Sequence, residues 1–155
     1  MSPRAACRLE TVGFAEVYDY VPGKVDWLAH NLPIEGENAD VPKAGRVARN
    51  DVARCALTDR VGEVRERIAR SPYRFALVTT PGGVLLGRLR RSALDCDPNL
   101  SAEEVMESGP STVRPDTPAA ELAKRLADRE LRWAIVTNPE GRLVGVASRE
   151  DLERA

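Results

Sequence analysis

Trp133-Ala134-Ile135-Val136-Thr137-Asn138-Pro139-Glu140-Gly141-Arg142-Leu143-Val144-Gly145 repeats, 58 residues on, the stretch Phe75-Ala76-Leu77-Val78-Thr79-Thr80-Pro81-Gly82-Gly83-Val84-Leu85-Leu86-Gly87. Each stretch is a pair of β-prone runs broken by a proline and a glycine, the pattern of a hairpin. The same offset, without a gap, sets Ala44 over Ala102, Val47 over Val105, Arg67 over Arg125, Arg91 over Arg149 and Leu94 over Leu152. A register held over so long a span marks an internal duplication.

Outward from the hairpin, each copy reads as one supersecondary unit. A short extended piece (residues 53–56 or 112–114) precedes a helical pattern whose apolar residues are Val61, Val64 and Ile68, or Ala119, Leu122 and Leu126. Asp116-Thr117-Pro118 supplies a helix-start signal in the second copy. After the hairpin, a last short helix carries Leu94 or Leu152. The fold class is α/β, of the α+β kind, with the order strand-helix-strand-strand-helix in residues 44–96 and again in 97–155. A unit of this size has a sheet face that it cannot cover alone, so two copies pack with pseudo-twofold symmetry. Clefts between the copies are the natural place for a small molecule.

The chain has 155 residues, 43% hydrophobic and 30% charged, which is the balance of a globular protein rather than a disordered one. No apolar run approaches the ~20 residues that cross a bilayer, and the N-terminus has no signal-peptide stretch, so the reading is cytoplasmic with no membrane partner. Cys7, Cys55 and Cys96 show no C-x-x-C spacing, which disfavours a disulfide framework and a zinc site. With His30 the lone histidine, no metal ligand and no catalytic residue is assigned.

The net charge of −1 conceals an uneven distribution. Lys and Arg stand against Asp and Glu as 4 to 7 in residues 1–43, 11 to 5 in 44–96, and 8 to 12 in 97–155. The first copy is therefore basic and both its neighbours acidic. Since 20 of the 23 basic residues are Arg, a GC-rich genome explains the excess as well as anion binding does. Arg88, Arg90 and Arg91 lack interleaved aromatics, which disfavours nucleic acid as a partner.

The block Trp133 to Val136, the turn at Pro139-Glu140-Gly141 and the run Gly145-Val146-Ala147-Ser148-Arg149-Glu150-Asp151-Leu152 together resemble the CBS domain, and the duplication resembles a CBS domain pair, or Bateman module. The resemblance covers residues 44–155. It implies a regulatory sensor, not an enzyme, that takes an adenosine-containing ligand (AMP, ADP, ATP or S-adenosylmethionine) and forms a homodimer through its helices. The family's nucleotide motif, Gly, apolar, any residue, Ser or Thr, two of any kind, then Asp, is met by Gly145, Val146, Ser148 and Asp151. A carboxylate there can accept both vicinal ribose hydroxyls, with the Ser148 hydroxyl one turn earlier. The resemblance further implies that Ala53, Tyr73 and Arg74 of the first copy face Asp151. The first copy has Arg90 and Ala93 where Ser148 and Asp151 stand. Its cleft is thus expected to be degenerate, with Arg90, Arg91, Ser111 and Arg132 around it, and Arg90 and Arg91 either hold phosphate or form a solvated basic edge. Asp151 itself has two readings, a ribose ligand or a carboxylate favoured by the first turn of its helix.

Residues 1–36 lie outside the duplication, and residues 37–43 connect it to them. Helix formers at Ser2 to Glu10, a strand-like run Glu16-Val17-Tyr18-Asp19-Tyr20, and a short helix from Lys24 to His30 give a helix-strand-helix extension. The passage from Arg8 through Leu32-Pro33 resembles the last third of a rhodanese domain. In that family the catalytic cysteine loop precedes the helix that Ser2-Pro3-Arg4-Ala5-Ala6 resembles, so the nucleophile is expected before Met1 and Cys7 does not take its place: either the segment is a remnant or the true start lies upstream. Three functions follow: a nucleotide-sensing module first, a dimerising scaffold with empty clefts as the alternative, and a sulfurtransferase remnant last.

Overall fold

The computed structural model describes residues 2–155, apart from the side chains of Ser2 and Ala93. Helices α1 (Ser2–Thr11) and α2 (Gly23–Ala29) precede the duplication. The first copy holds α3 (Ala44–Val47), β1 (Ala53–Cys55), α4 (Val61–Ala69), β2 (Phe75–Thr79), β3 (Leu85–Arg90) and a 3-10 helix (Arg91–Leu94). The second holds α5 (Ala102–Val105), β4 (Glu107–Ser108), β5 (Thr112–Val113), α6 (Ala119–Asp128), β6 (Trp133–Thr137), β7 (Leu143–Ser148) and α7 (Arg149–Arg154). The mixed α/β architecture with two small sheets is as the sequence reads. Among the described residues, no helix is long and apolar enough to cross a membrane.

The opening arm of each copy lies on the other copy. β4 closes the first sheet, in the order β1-β2-β3-β4, by pairing Glu107 with Arg88. Arg49 pairs with Val146 on β7 by the same rule, since both residues shift by 58. The Ala44 amide donates to Thr117 O at 2.8 Å, and the Ala102 amide to Asp59 O at 2.8 Å. The hairpin turns complete the pseudo-twofold, with Leu85 N–H donating to Gly141 O and Leu143 N–H to Gly83 O, both at 2.9 Å.

Three apolar cores result. β2 is buried on both faces: Ala76 and Val78 point to α4 with Val61, Val64 and Ile68, while Phe75 and Leu77 meet Ile135 and Val146 between the sheets. In the second copy, Leu122 and Leu126 of α6 pack on Ala134, Val136 and Leu152. Ala44 sits in the second core and Ala102 in the first, so the arms contribute apolar contacts as well as hydrogen bonds. Each fully buried Leu or Val contributes on the order of 1.5–3 kcal/mol.

The N-terminal extension corrects the expected helix-strand-helix. Residues 16–20 are irregular rather than a strand, and Tyr18 and Val21 are exposed. Strand propensity reflects packing on a pleated, half-buried surface, so an exposed run need not realise it. α2 instead docks on the second copy. Its Asp26 is buried, accepts from Tyr20 Oη at 2.7 Å and from Asn138 Nδ2 at 3.3 Å, and lies 3.4 Å from His30 Nδ1. The Tyr20 hydrogen bond is the main cause holding the Asp26 carboxyl below its ordinary range.

Candidate functional site

β7 runs directly into α7, and this junction carries Ser148 and Asp151. Ser148 has extended backbone and caps α7: its hydroxyl accepts the Asp151 amide at 3.0 Å and donates to Asp151 Oδ2 at 2.7 Å. A side chain that satisfies an orphan amide of the first turn stabilises the helix start. The first copy has no such cap on Arg90, and its last helix is wound as a 3-10 turn. The cap is Ser148 rather than Asp151, and its hydrogen bond to Oδ2 leaves Asp151 Oδ1 for another partner.

That second oxygen meets the first copy. Arg49 Nη2 lies 3.2 Å from Asp151 Oδ1, and Asp51, two residues on, accepts from Tyr73 Oη at 2.8 Å. Tyr73 is buried and meets Trp133 edge-on at 4.9 Å, so one aromatic pair joins the copies beside the carboxylate. Burial is the main cause raising the Tyr73 hydroxyl above its usual range, followed by the Asp51 hydrogen bond. The amide and carbonyl of Val146, a core residue, exchange hydrogen bonds with Arg49 at 2.8 and 2.9 Å. Gly145 is needed for that approach, because a Cβ there would lie 2.5 Å from Arg49 O.

Among the expected residues, Ser148 and Asp151 are joined by hydrogen bonds, Val146 is tied through its backbone to Arg49, which pairs with Asp151, and Tyr73 donates to Asp51 two residues from Arg49. Ala53 lies at the edge of the first core, paired with Ala76. Arg74 lines a different cavity, together with Arg91. Arg49 and Asp51 were missed by motif reading, although the 58-residue offset places Arg49 over Glu107, a reversed charge in an otherwise matched register.

The related cleft is built with the opposite polarity. Glu107 Oε2 accepts from Arg88 at 2.8 Å and from Arg90 at 3.0 Å, and the Arg88 hydrogen bond is the main cause lowering the Glu107 carboxyl from its ordinary range. Ser111 and Trp133 line a cavity of about 190 Å³ nearby, while Arg132 is exposed and its carbonyl accepts the Arg149 amide. The position of Asp151 is taken by Ala93, whose side chain lies outside the described residues. Cys55 is buried, which pushes its thiol up to about 11, and Cys7 is exposed on α1. Among the described residues, no group of three or more His, Cys, Asp or Glu is placed to hold a metal ion.

Two small sheets related by a pseudo-twofold, with exchanged arms, are an architecture similar to that of solved CBS-domain structures. Residues 102–155 match the family model of the CBS domain. The cytosolic domain of the Mg2+ channel MgtE, solved in complex with ATP, is similar at 26% identity and a TM-score of 0.66, over 74% of this chain and 49% of that one. The CBS domains of a transcriptional regulator from Streptococcus pneumoniae share the fold at 18% identity and a TM-score of 0.66, over 75% of this chain and all of that one. CBSX2, solved in complex with AMP, shares it at 17% identity and a TM-score of 0.63, over 73% of this chain and 94% of that one. The chain spans about half the length of the channel domain. No curated protein sequence matches it.

Proposed function

We propose that this chain is a regulatory module that binds an adenosine-containing nucleotide in the cleft bearing Asp151. The observation that carries the reading is the Asp151 carboxylate, which accepts from Ser148 and pairs across the two copies with Arg49, while Asp51, two residues on, accepts from Tyr73. Similar folds solved with ATP and with AMP support the ligand class. Asp151 is one-fifth exposed, so a ribose can reach it once Arg49 turns aside. Arg49 then stands ready for a phosphate, for which a guanidinium is well suited.

In this reading, residues 44–96 and 97–155 are the two CBS repeats, and 37–43 connect them to a rhodanese-like piece, 1–36. Arg74 serves the phosphate side of the ligand only if the ligand passes Tyr73. The module forms a homodimer, which light scattering checks directly. The deciding test is calorimetric titration with adenosine, AMP, ADP, ATP and S-adenosylmethionine, beside Asp151→Asn. Saturable binding lost in the variant supports the sensor; no binding by any of the five ligands leaves the dimerising scaffold.

A further inference from the structure

We propose that Arg65, Arg74 and Arg91 form an oxyanion site on the helical side of the first copy, separate from the Asp151 cleft, that takes a free phosphate or pyrophosphate group. The three guanidinium-bearing residues line one cavity of about 440 Å³, together with Ser71 and Tyr73, and no acidic residue lines it. The residues come from three elements. Arg65 on α4 donates to the carbonyl of Leu94 and, at 3.4 Å, to that of Cys96, which ties its side chain across to the 3-10 helix. The Arg91 amide donates to Arg74 O at 3.1 Å, which holds these two residues side by side.

Two carboxylates of α4 are committed elsewhere. Glu63 and Glu66 of α4 pair along their own helix with Arg67 and Arg70, at 3.6 and 3.8 Å. The second copy shows what a neutralised version looks like. There Ala123 stands at the position of Arg65, and Arg149, at the position of Arg91, pairs with Glu153 at 3.4 Å. Glu153 corresponds to Asp95, which lies at the C-terminal end of the 3-10 helix. An i,i+4 pair needs α-helical winding to bring its members onto one face, and a 3-10 turn rotates the fourth residue away. Among the described residues, Arg91 accordingly has no pairing with Asp95. The missing cap at Arg90 thus has an electrostatic consequence: the uncapped helix leaves its arginine unpaired, beside two others.

Like charges in one concavity repel, and an anion between them relieves that repulsion. Guanidinium forks match the oxygen spacing of phosphate, and the Ser71 hydroxyl adds a further polar group at the rim. Tyr73 separates this cavity from the nucleotide cleft, since its hydroxyl is turned to Asp51.

The test is calorimetry with pyrophosphate, run against sodium chloride at matched ionic strength. Saturable binding is expected, weakened about tenfold by Arg74→Gln and again by Arg91→Gln, and unchanged in Asp151→Asn. Both arginines are exposed, so the variants should keep the fold, which circular dichroism verifies. A heat that sodium chloride reproduces, or affinities unchanged in the arginine variants, overturns the site. Loss of pyrophosphate binding in Asp151→Asn overturns it too, by assigning the phosphate to the nucleotide cleft. Adenosine carries no phosphate and reports on the Asp151 cleft alone, so the two proposals fail separately.

Discussion

The Arg49 guanidinium lies 3.2 Å from the Asp151 carboxylate across 102 residues of chain. This ion pair holds the first arm of the duplication against the last helix, and it occupies the oxygen that a ribose would use. The two roles oppose each other, and substitutions at Arg49 separate them.

Arg49→Ala should raise the affinity for adenosine while leaving the melting temperature nearly unchanged. The pair is substantially exposed on the arginine side, and such pairs contribute roughly 0–1 kcal/mol. The expected gain for the nucleoside is therefore no more than about fivefold. AMP should gain less or lose affinity, because its phosphate would lose a guanidinium. Calorimetry with both ligands decides; a loss for adenosine would mean that Arg49 shapes the cleft rather than competing for it.

Ser148→Ala removes the cap of α7 and the hydrogen bond to Asp151 together. A lost side-chain cap costs about 0.5–2 kcal/mol, read as a lower midpoint in urea. Arg90→Ala, at the same place in the first copy, removes no cap and should cost less.

Glycine substitutions distinguish the two arm contacts. At Gly145 a Cβ meets the backbone oxygen of Arg49 at 2.5 Å, whereas at Gly87 it meets the flexible Met106 side chain, also at 2.5 Å, and Glu107 O only at 3.1 Å. Gly145→Ala should therefore destabilise by about 1–3 kcal/mol, and Gly87→Ala by less. Equal denaturation midpoints for the two variants would contradict the arm geometry.

Acid should loosen α2 before it unfolds the two copies. Because the hydrogen bond from Tyr20 depresses the Asp26 carboxyl, its stabilisation is present above the unfolded aspartate value and is lost as the pH falls through the folded one. Hydrogen exchange in residues 23–30 should rise across that acidic window. In Asp26→Asn the acid dependence should vanish, and Tyr20→Phe should move the transition towards the unfolded value.

Much of the architecture was legible because its signals are local. Proline and glycine at Pro81-Gly83 and Pro139-Gly141 mark both hairpins, and the spacing of Leu122 and Leu126 marks α6. The strand read at residues 16–20 failed for the complementary reason, since strand propensity reflects packing on a half-buried surface. At the cleft, Ser148 and Asp151 could be picked out because their spacing places both at one helix start. Arg49 could not, because no spacing relates it to Asp151. Arg74 and Arg91 were read into different clefts, and only the hydrogen bond between their backbones shows them sharing one cavity.

By itself, the sequence determined a duplicated unit of strands and helices, with an acidic helix start in one copy and a basic one in the other. Those properties follow from the identity and period of neighbouring side chains. Only the tertiary structure decided that residues 43–49 lie on the second copy and 101–108 on the first. That exchange is held largely by backbone amides and carbonyls, which every residue except proline carries alike, so the side-chain pattern cannot specify which ladder an arm joins. Once the arms are placed, Arg49 faces Asp151 and Glu107 faces Arg90, and one duplicated scaffold carries the same arm-to-helix ion pair with its charges exchanged.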